Sequence, residues 1–243
     1  MEEIGLCNAR RWAIYIDIQG FSNLWDKEDI AFTALNELML GIFRVGKIIY
    51  PSFPNRLFAH QFGDGFLVVS DSYERSLERC AVIAIALLRH TAATGCFARA
   101  AIIEGKMLDI NGCYPDEVMQ ELHNGCISMG EGLMTIIPAM GSALIQGVKL
   151  DKMAAKGPLL IVEKEKIDRL PSDLDKTQTI DDGNIVSINW ITYQSTLLSD
   201  IQNRANLSSP SSADIQISLR QYCKKNQGSL EEWAGNVNRY LIS

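Results

Sequence analysis

The sequence predicts a mixed α+β fold, an antiparallel-rich sheet with helices packed on one face and a strand-and-helix addition at the C-terminal end. Three observations predict it. The run AIYIDI, residues 13–18, is rich in β-branched residues and stops at a glycine turn. The segment LFAHQFGDGFLVVS, residues 57–70, is two apolar runs split by Gly63-Asp64-Gly65, the pattern of a tight hairpin. Around these lie stretches whose apolar residues recur at helical spacing.

Along the chain, residues 12–18 read as a strand. The polar NLWDKED then leads into residues 30–49, where Leu35, Leu38, Ile42 and Val45 share a helical face. The two prolines of PSFPNR mark a loop before the hairpin. Residues 73–90 return to helical spacing through Leu77, Ala81, Ile83, Ala84 and Leu87. CFARAAIIEGKML, residues 96–108, reads as a strand, and the glycine-punctuated segment 109–135 yields no assignment. GSALIQGVKLDKMAAKG reads as a helix closed by Gly157, followed by PLLIVEK as a strand. The order β-α-β-β-α-β is that of ferredoxin-like folds. Beyond about residue 165 the texture changes to a polar, turn-rich stretch, a strand over IVSINWITY, a loop over NRANLSSPSSAD, and a helix over residues 215–241 with a break near Gly228. Residues 1–165 are therefore read as the main domain. Residues 166–243 are read as an extension that packs on it, because their apolar stretches need a core.

Composition excludes several classes. No run of about 18 apolar residues is present, and MEEIGLCNARRW lacks the regions of a signal peptide, so the expected location is cytoplasmic and no membrane partner is expected. The six cysteines show no C-x-x-C spacing, which argues against a zinc site or a disulfide framework. A net charge of -6 gives no basic footprint for nucleic acid, so a polyanionic substrate must be held by a local device.

Asp17 ends the first strand and Asp64 sits at the hairpin tip. In a ferredoxin-like sheet the first strand lies beside this hairpin, so the two carboxylates can meet at one edge. Paired carboxylates suit Mg²⁺ or Mn²⁺, and the Ile18 carbonyl is a further oxygen ligand. The amides of Gln19, Gly20, Phe21 and Ser22, at a helix start, suit a bound anion such as a triphosphate. Two ions there would lower the pKa of a bound hydroxyl and offset charge on a leaving pyrophosphate. Taken singly, Asp17 also fits a helix cap and Asp64 a turn. Their joint appearance in a matching strand order favours the site.

The motifs IYIDIQGFS, FGDGFLVV, ARAAIIEGK and MGSALIQGVKLDKMAAKGPLLIVEKE resemble, in order and spacing, the catalytic domain of class III nucleotide cyclases over residues 11–165. The resemblance implies a head-to-tail homodimer with two interfacial sites, two Mn²⁺ or Mg²⁺ ions per site, and metal ligation by Asp17, the Ile18 carbonyl and Asp64. It also implies attack by the 3′-hydroxyl of a nucleoside triphosphate on its own α-phosphorus, giving a 3′,5′-cyclic nucleotide and pyrophosphate.

The departures are informative. Where adenylate cyclases of that family place an adenine-reading lysine, this chain has His60; where they place an aspartate or threonine, it has Pro138. The glutamate and cysteine of guanylate cyclases are missing too. The family's helical asparagine and arginine correspond to Ile145 and Lys149. Lys149 offers phosphate a point charge without the arginine fork, and Gln146 is a partial substitute. Metal ligands without purine-reading residues resemble the bacterial pyrimidine cyclases of Pycsar anti-phage systems, as do the compact length and the INWITY strand. That resemblance implies UTP or CTP as substrate, with cyclic UMP the commoner product, made upon infection to act on a separate cyclic-nucleotide effector. Candidates for contact with the nucleotide are Tyr50, His60 and Arg99. Tyr50 also fits a core aromatic and His60 a structural histidine, while Arg99 suits phosphate, base or a buried carboxylate such as Glu104. His90 and His123 have no companions for metal binding, and Met129, Met134, Met140 and Met153 read as packing. Two alternatives stand beside the pyrimidine cyclase: a purine cyclase with an altered base pocket, and an inactive cyclase-like nucleotide sensor or scaffold.

Overall fold

The computed structural model describes residues 10–19, 28–109, 115–123, 126–135, 139–178, 183–225 and 231–241. Strand β1 (Arg11–Ile18) is followed by helix α1 (Glu28–Arg44), which runs on through a π-helical turn at Val45–Ile49. Next come β2 (Leu57–Phe62), β3 (Gly65–Ser70), α2 (Glu78–Ala92) and β4 (Ala98–Gly105). The segment that yields no assignment from sequence holds β5 (Leu108–Asp109), the short α3 (Asp116–Gln120), β6 (Leu122–His123), β7 (Cys126–Met129) and β8 (Gly132–Met134). After β9 (Ala139–Met140) come α4 (Ser142–Met153), β10 (Leu160–Glu163), a 3₁₀ turn at Lys164–Arg169, β11 (Lys176–Gln178) and β12 (Ile185–Ile188). Helices α5 (Thr196–Arg204), α6 (Ser212–Lys225) and α7 (Glu231–Tyr240) complete the described chain.

The main sheet has seven strands in the order β11-β12-β10-β4-β1-β3-β2. Its neighbours pair antiparallel except β10 with β4. The inner order β4-β1-β3-β2 is the ferredoxin-like arrangement that the β-α-β-β-α-β succession predicts. Short strands build two smaller sheets, β5-β9 and β6-β7-β8.

Alternation along β1 divides its side chains between two layers. Trp12, Ile14, Ile16 and Ile18 are buried on the face shared with α2. On that face the Trp12 indole N–H donates to Glu74 at 2.6 Å, and the Arg79 guanidinium lies 5.0 Å from the Trp12 ring. Tyr15 and Asp17 point to the opposite face, which α4 covers. The contact there is close because residue 147 is glycine: a Cβ on Gly147 would lie 2.9 Å from Tyr15 Cβ and 3.0 Å from Ile103 Cδ1. Helix α1 packs beside α2, where His90 stands within 3.3 Å of Glu37 and accepts a hydrogen bond from the Ser208 N–H at 3.0 Å. Those contacts fix His90 as a structural residue.

Two boundaries differ from the sequence expectation for a tertiary reason. Helix α2 starts at Glu78, not near Tyr73, because the Arg169 side chain binds the carbonyls of Glu74 and Arg75, and the Leu77 N–H donates to the Arg169 carbonyl. Strand β12 stops at Ile188, not at Tyr193, because Arg89, buried inside α2, donates to the carbonyls of Trp190, Ile191 and Tyr193 at 3.0, 2.9 and 2.5 Å. Helix α5 has no counterpart in the sequence reading, although Ser195 caps it by accepting the Leu198 N–H at 3.1 Å. The helix expected over 215–241 with a break near Gly228 corresponds to two helices, α6 and α7, with residues 226–230 outside the described set. Phe97, Tyr222 and Trp233 pack ring against ring, with centroids 5.2–6.3 Å apart, and tie both helices to the start of β4.

The close seat of α4 generates a paired prediction. Gly147→Ala forces overlap with Tyr15 and Ile103 and is expected to cost about 1–2 kcal/mol after the gain in helix propensity is counted. Gly235→Ala in α7, with nothing within 4 Å, is expected to gain about 0.5–1 kcal/mol. Urea unfolding of the two variants checks this, and equal effects would contradict the packing described.

Candidate active site

Strand register builds the site. Asp17 pairs across β1-β3 with Gly65 and across β1-β4 with Arg99. Directly opposed residues share a face, so Asp17 and Arg99 both project toward α4. Phe62 pairs with Gly65, leaving Gly63-Asp64 as a two-residue turn, and Gly63 takes the positive φ of 64° that its first position requires. Asp64 is thereby fixed one residue from Asp17's cross-strand partner. Gly65 also makes room: a Cβ there would stand 3.2 Å from Asp17 Cβ and 3.5 Å from the Tyr15 hydroxyl. From above, α4 contributes Asp151, one turn beyond Gly147, whose Oδ1 lies 3.2 Å from Arg99 Nε.

The electrostatics follow from this crowding. Asp17 Oδ1 is sealed from solvent and has no hydrogen-bond partner. The Asp17 pKa is raised to about 7 by burial first, then by Asp151 and Asp64; Arg99 and a hydrogen bond from the Gln19 side chain oppose the rise. Burial also raises Asp151, against Arg99 and Lys152. Tyr15 is pushed up to about 12 by burial and by the same three carboxylates. Arg99 is only 6% exposed, its contact with Asp151 is not aligned as a hydrogen bond, and its Nη2 has no partner. A buried guanidinium with an open donor, next to a sealed carboxylate oxygen, is costly unless a ligand completes it.

The residues singled out from sequence divide into groups. Asp17, Asp64 and Arg99 come together, with Ile18 ending the same strand. Gln19 is corrected in part: its backbone N–H donates to the Phe97 carbonyl at 2.8 Å, so the ladder uses the amide that was expected to face an anion. Gly20, Phe21, Ser22 and Pro138 lie outside the described residues. The carboxylate beside Arg99 is Asp151 and not Glu104, which pairs instead with Arg169. His60 pairs with Leu67, and Leu67 with Tyr15, so His60 is half-buried on the site's face, two strands from Tyr15. Tyr50 stands elsewhere, its ring 4.7 Å from the Arg79 guanidinium that also covers Trp12. Lys149 and Gln146 are not brought to the aspartates of the same chain. They line a separate cavity of about 420 Å³ with Glu163, Lys164 and Asn184, and Ile145 is 71% exposed.

Asp151 is the residue that sequence reasoning missed. A signal exists: an arginine inside an apolar strand requires a buried partner, and Asp151 sits four residues after Gly147, on the helix face turned to the sheet.

The donor set fits a hard divalent cation. Among the described residues no group of three or more His, Cys, Asp and Glu side chains is placed to hold an ion unaided. Two carboxylates and a carbonyl, with remaining positions left to water and phosphate, match the habit of Mg²⁺ in phosphoryl chemistry. The orphaned Oδ1 of Asp17 supplies the free lone pairs.

Compared with protein-family models and with curated proteins, the chain matches none. Among solved structures, it is similar to one described as a bacterial light-regulated adenylyl cyclase, with a TM-score of 0.43 and 10% identity. The alignment covers 88% of this chain and 56% of that one, so this chain spans little more than half of its length. No described helix is long and apolar enough to cross a membrane.

The raised Asp17 pKa yields a signed prediction. An unfolded aspartate ionises near 3.8, whereas folded Asp17 keeps its proton to about pH 7. The folded state therefore binds more protons between these values, and stability from this group is lost as pH rises from about 4 to 7. Asp17→Asn is expected to raise stability at pH 8 by about 1–4 kcal/mol and to change it far less at pH 4. Urea titrations of both proteins in EDTA at the two pH values test this; equal stability at pH 8 would contradict the buried, crowded carboxylate.

Proposed function

We propose that the protein is a metal-dependent nucleotide cyclase that converts a pyrimidine nucleoside triphosphate, UTP foremost, to its 3′,5′-cyclic monophosphate and pyrophosphate. The observation that carries this reading is the pairing of Asp17 with the Asp64 hairpin at one corner of the sheet, with a sealed carboxylate oxygen beside an open guanidinium donor. Asp17, the Ile18 carbonyl and Asp64 would hold the ions, and Mg²⁺ or Mn²⁺ held there would lower the pKa of the attacking 3′-hydroxyl and offset charge on the leaving pyrophosphate. Arg99 directs Nη2 to a phosphate oxygen, a charge-assisted contact that also restrains the tail of the substrate. The 3′-hydroxyl gives up its proton to water, and its oxygen forms the bond to the α-phosphorus as the bond to pyrophosphate breaks.

Lys149 and Gln146, on the side of α4 away from the Asp17 cluster, are assigned to the site of a second copy in a head-to-tail homodimer. That placement supports a composite site. Pyrimidine preference rests on His60 and Pro138 standing where purine-reading residues occur in the resembling families. His60 is assigned to the base, and Tyr50, stacked under Arg79, is left out of base reading. Residues 1–165 carry the chemistry and 166–243 support it. The cyclic product, acting on a separate effector in anti-phage defence, is the role that the Pycsar resemblance supports.

Purified protein incubated with each of the four ribonucleoside triphosphates and Mn²⁺ tests the reading by chromatography of cyclic products. Cyclic UMP is expected to dominate, and Asp17→Ala or Asp64→Ala to lower turnover about 100-fold or more. Faster ATP turnover would overturn the pyrimidine assignment, and no cyclic product from any substrate would overturn the cyclase.

A further inference from the structure

Beside the carboxylate corner lies a second cavity of about 520 Å³, a volume within the range of small-molecule sites. Its described lining includes Arg99, Asp151, Lys152, Lys156, Glu232 and Asn236. Its position is fixed by three elements from different parts of the chain. The floor is the start of β4 and the last turn of α4, and the far wall is α7 from the C-terminal extension. Asn236 of α7 donates to the Lys156 carbonyl at 2.7 Å, and one turn earlier Glu232 approaches Lys156 Nζ at 3.2 Å. One helical face therefore holds both the backbone and the side chain of Lys156. Trp233 between them anchors that helix against Phe97 and Tyr222.

The charge of this recess is opposite to that of the whole chain. Three cations face two carboxylates there, in a protein of net charge -6. The carboxyl end of α4 is itself unfavourable to an anion, and Lys152 in its last turn offsets that. The Lys156–Glu232 pair is exposed, with side chains 72% and 63% accessible, so it is weak and Lys156 is readily redirected. The buried Arg99, with Nη2 lacking a partner, stands at the boundary between recess and carboxylates.

We propose that this recess is an oligophosphate seat, in which Lys152 and Lys156 join Arg99 in binding a pyrophosphate unit and α7 makes the C-terminal extension one wall of the site. Lys152, Lys156 and α7 are not among the residues that the cyclase resemblance implies. The proposal rests on the cyclase reading only for identifying the ligand as the substrate's phosphate tail and the departing pyrophosphate. Glu232 holds Lys156 beside the recess and yields it to phosphate.

Calorimetric titration of the full chain with inorganic pyrophosphate in EDTA at low salt tests the seat without metal bridging. Saturable binding with one site per chain is expected. The double variant Lys152→Ala/Lys156→Ala is expected to weaken it about tenfold or more, and Glu232→Gln to tighten it about threefold. Both lysines are exposed, so the fold does not depend on them. Absence of saturable binding to the unaltered chain, or equal affinity in the double variant, would overturn the seat. Assaying cyclisation on the same samples separates the two readings. Lysine-dependent pyrophosphate binding without any cyclic product sinks the cyclase and keeps the seat, whereas cyclisation with unchanged KM and pyrophosphate affinity in the double variant sinks the seat alone.

Discussion

The site depends on one cross-strand placement, Asp17 between Gly65 and Arg99 at one corner of the sheet. A carboxylate at that depth needs a counter-charge, and the sheet provides it in the next strand. The guanidinium in turn needs an acid, which α4 supplies as Asp151. The chain thus assembles alternating charges from three elements in one small volume and leaves three of their polar atoms, Asp17 Oδ1 and Arg99 Nε and Nη2, without hydrogen-bond partners. Polar groups without partners at this depth are costly, and that cost marks this corner as the candidate site.

Glycine is what permits the crowding. At Gly65 the missing side chain clears space for Asp17 and Tyr15, and at Gly147 it lets α4 settle directly on Tyr15. Both are close approaches of backbone to side chain, and together they bring Asp151 down to Arg99. The same economy of space explains why Tyr15, with its hydroxyl beside Gly65, holds its proton so firmly among three acids.

The inner fold was legible because its signals are local. β-Branched alternation, a GDG turn and helical periodicity each act over a few residues, and together they specify the order of the four inner strands. The approach of Asp17 to the Asp64 turn was legible for the same reason, since each sits at a recognisable boundary. What escaped were features created only by long-range contact. Asp151 gains its meaning from Arg99, the Gln19 amide loses its availability to Phe97, and α2 starts late because Arg169, far along the chain, captures the turn before it. Tyr50, at a helix end, could be placed under Arg79 only once α1 and α2 were packed together.

The burial of Arg89 bears on how this protein can be dissected. Its guanidinium is enclosed in the middle layer, and its acceptors are three successive-turn carbonyls that belong to residues 190–193. Excising everything after the strand at 160–163 would remove the acceptors of Arg89 together with the helices α5 and α6 that pack on α2, and would turn the apolar side of α2 out to water. The apparent appendage is therefore a structural creditor of the first half, and a trimmed fragment is not a smaller version of the whole.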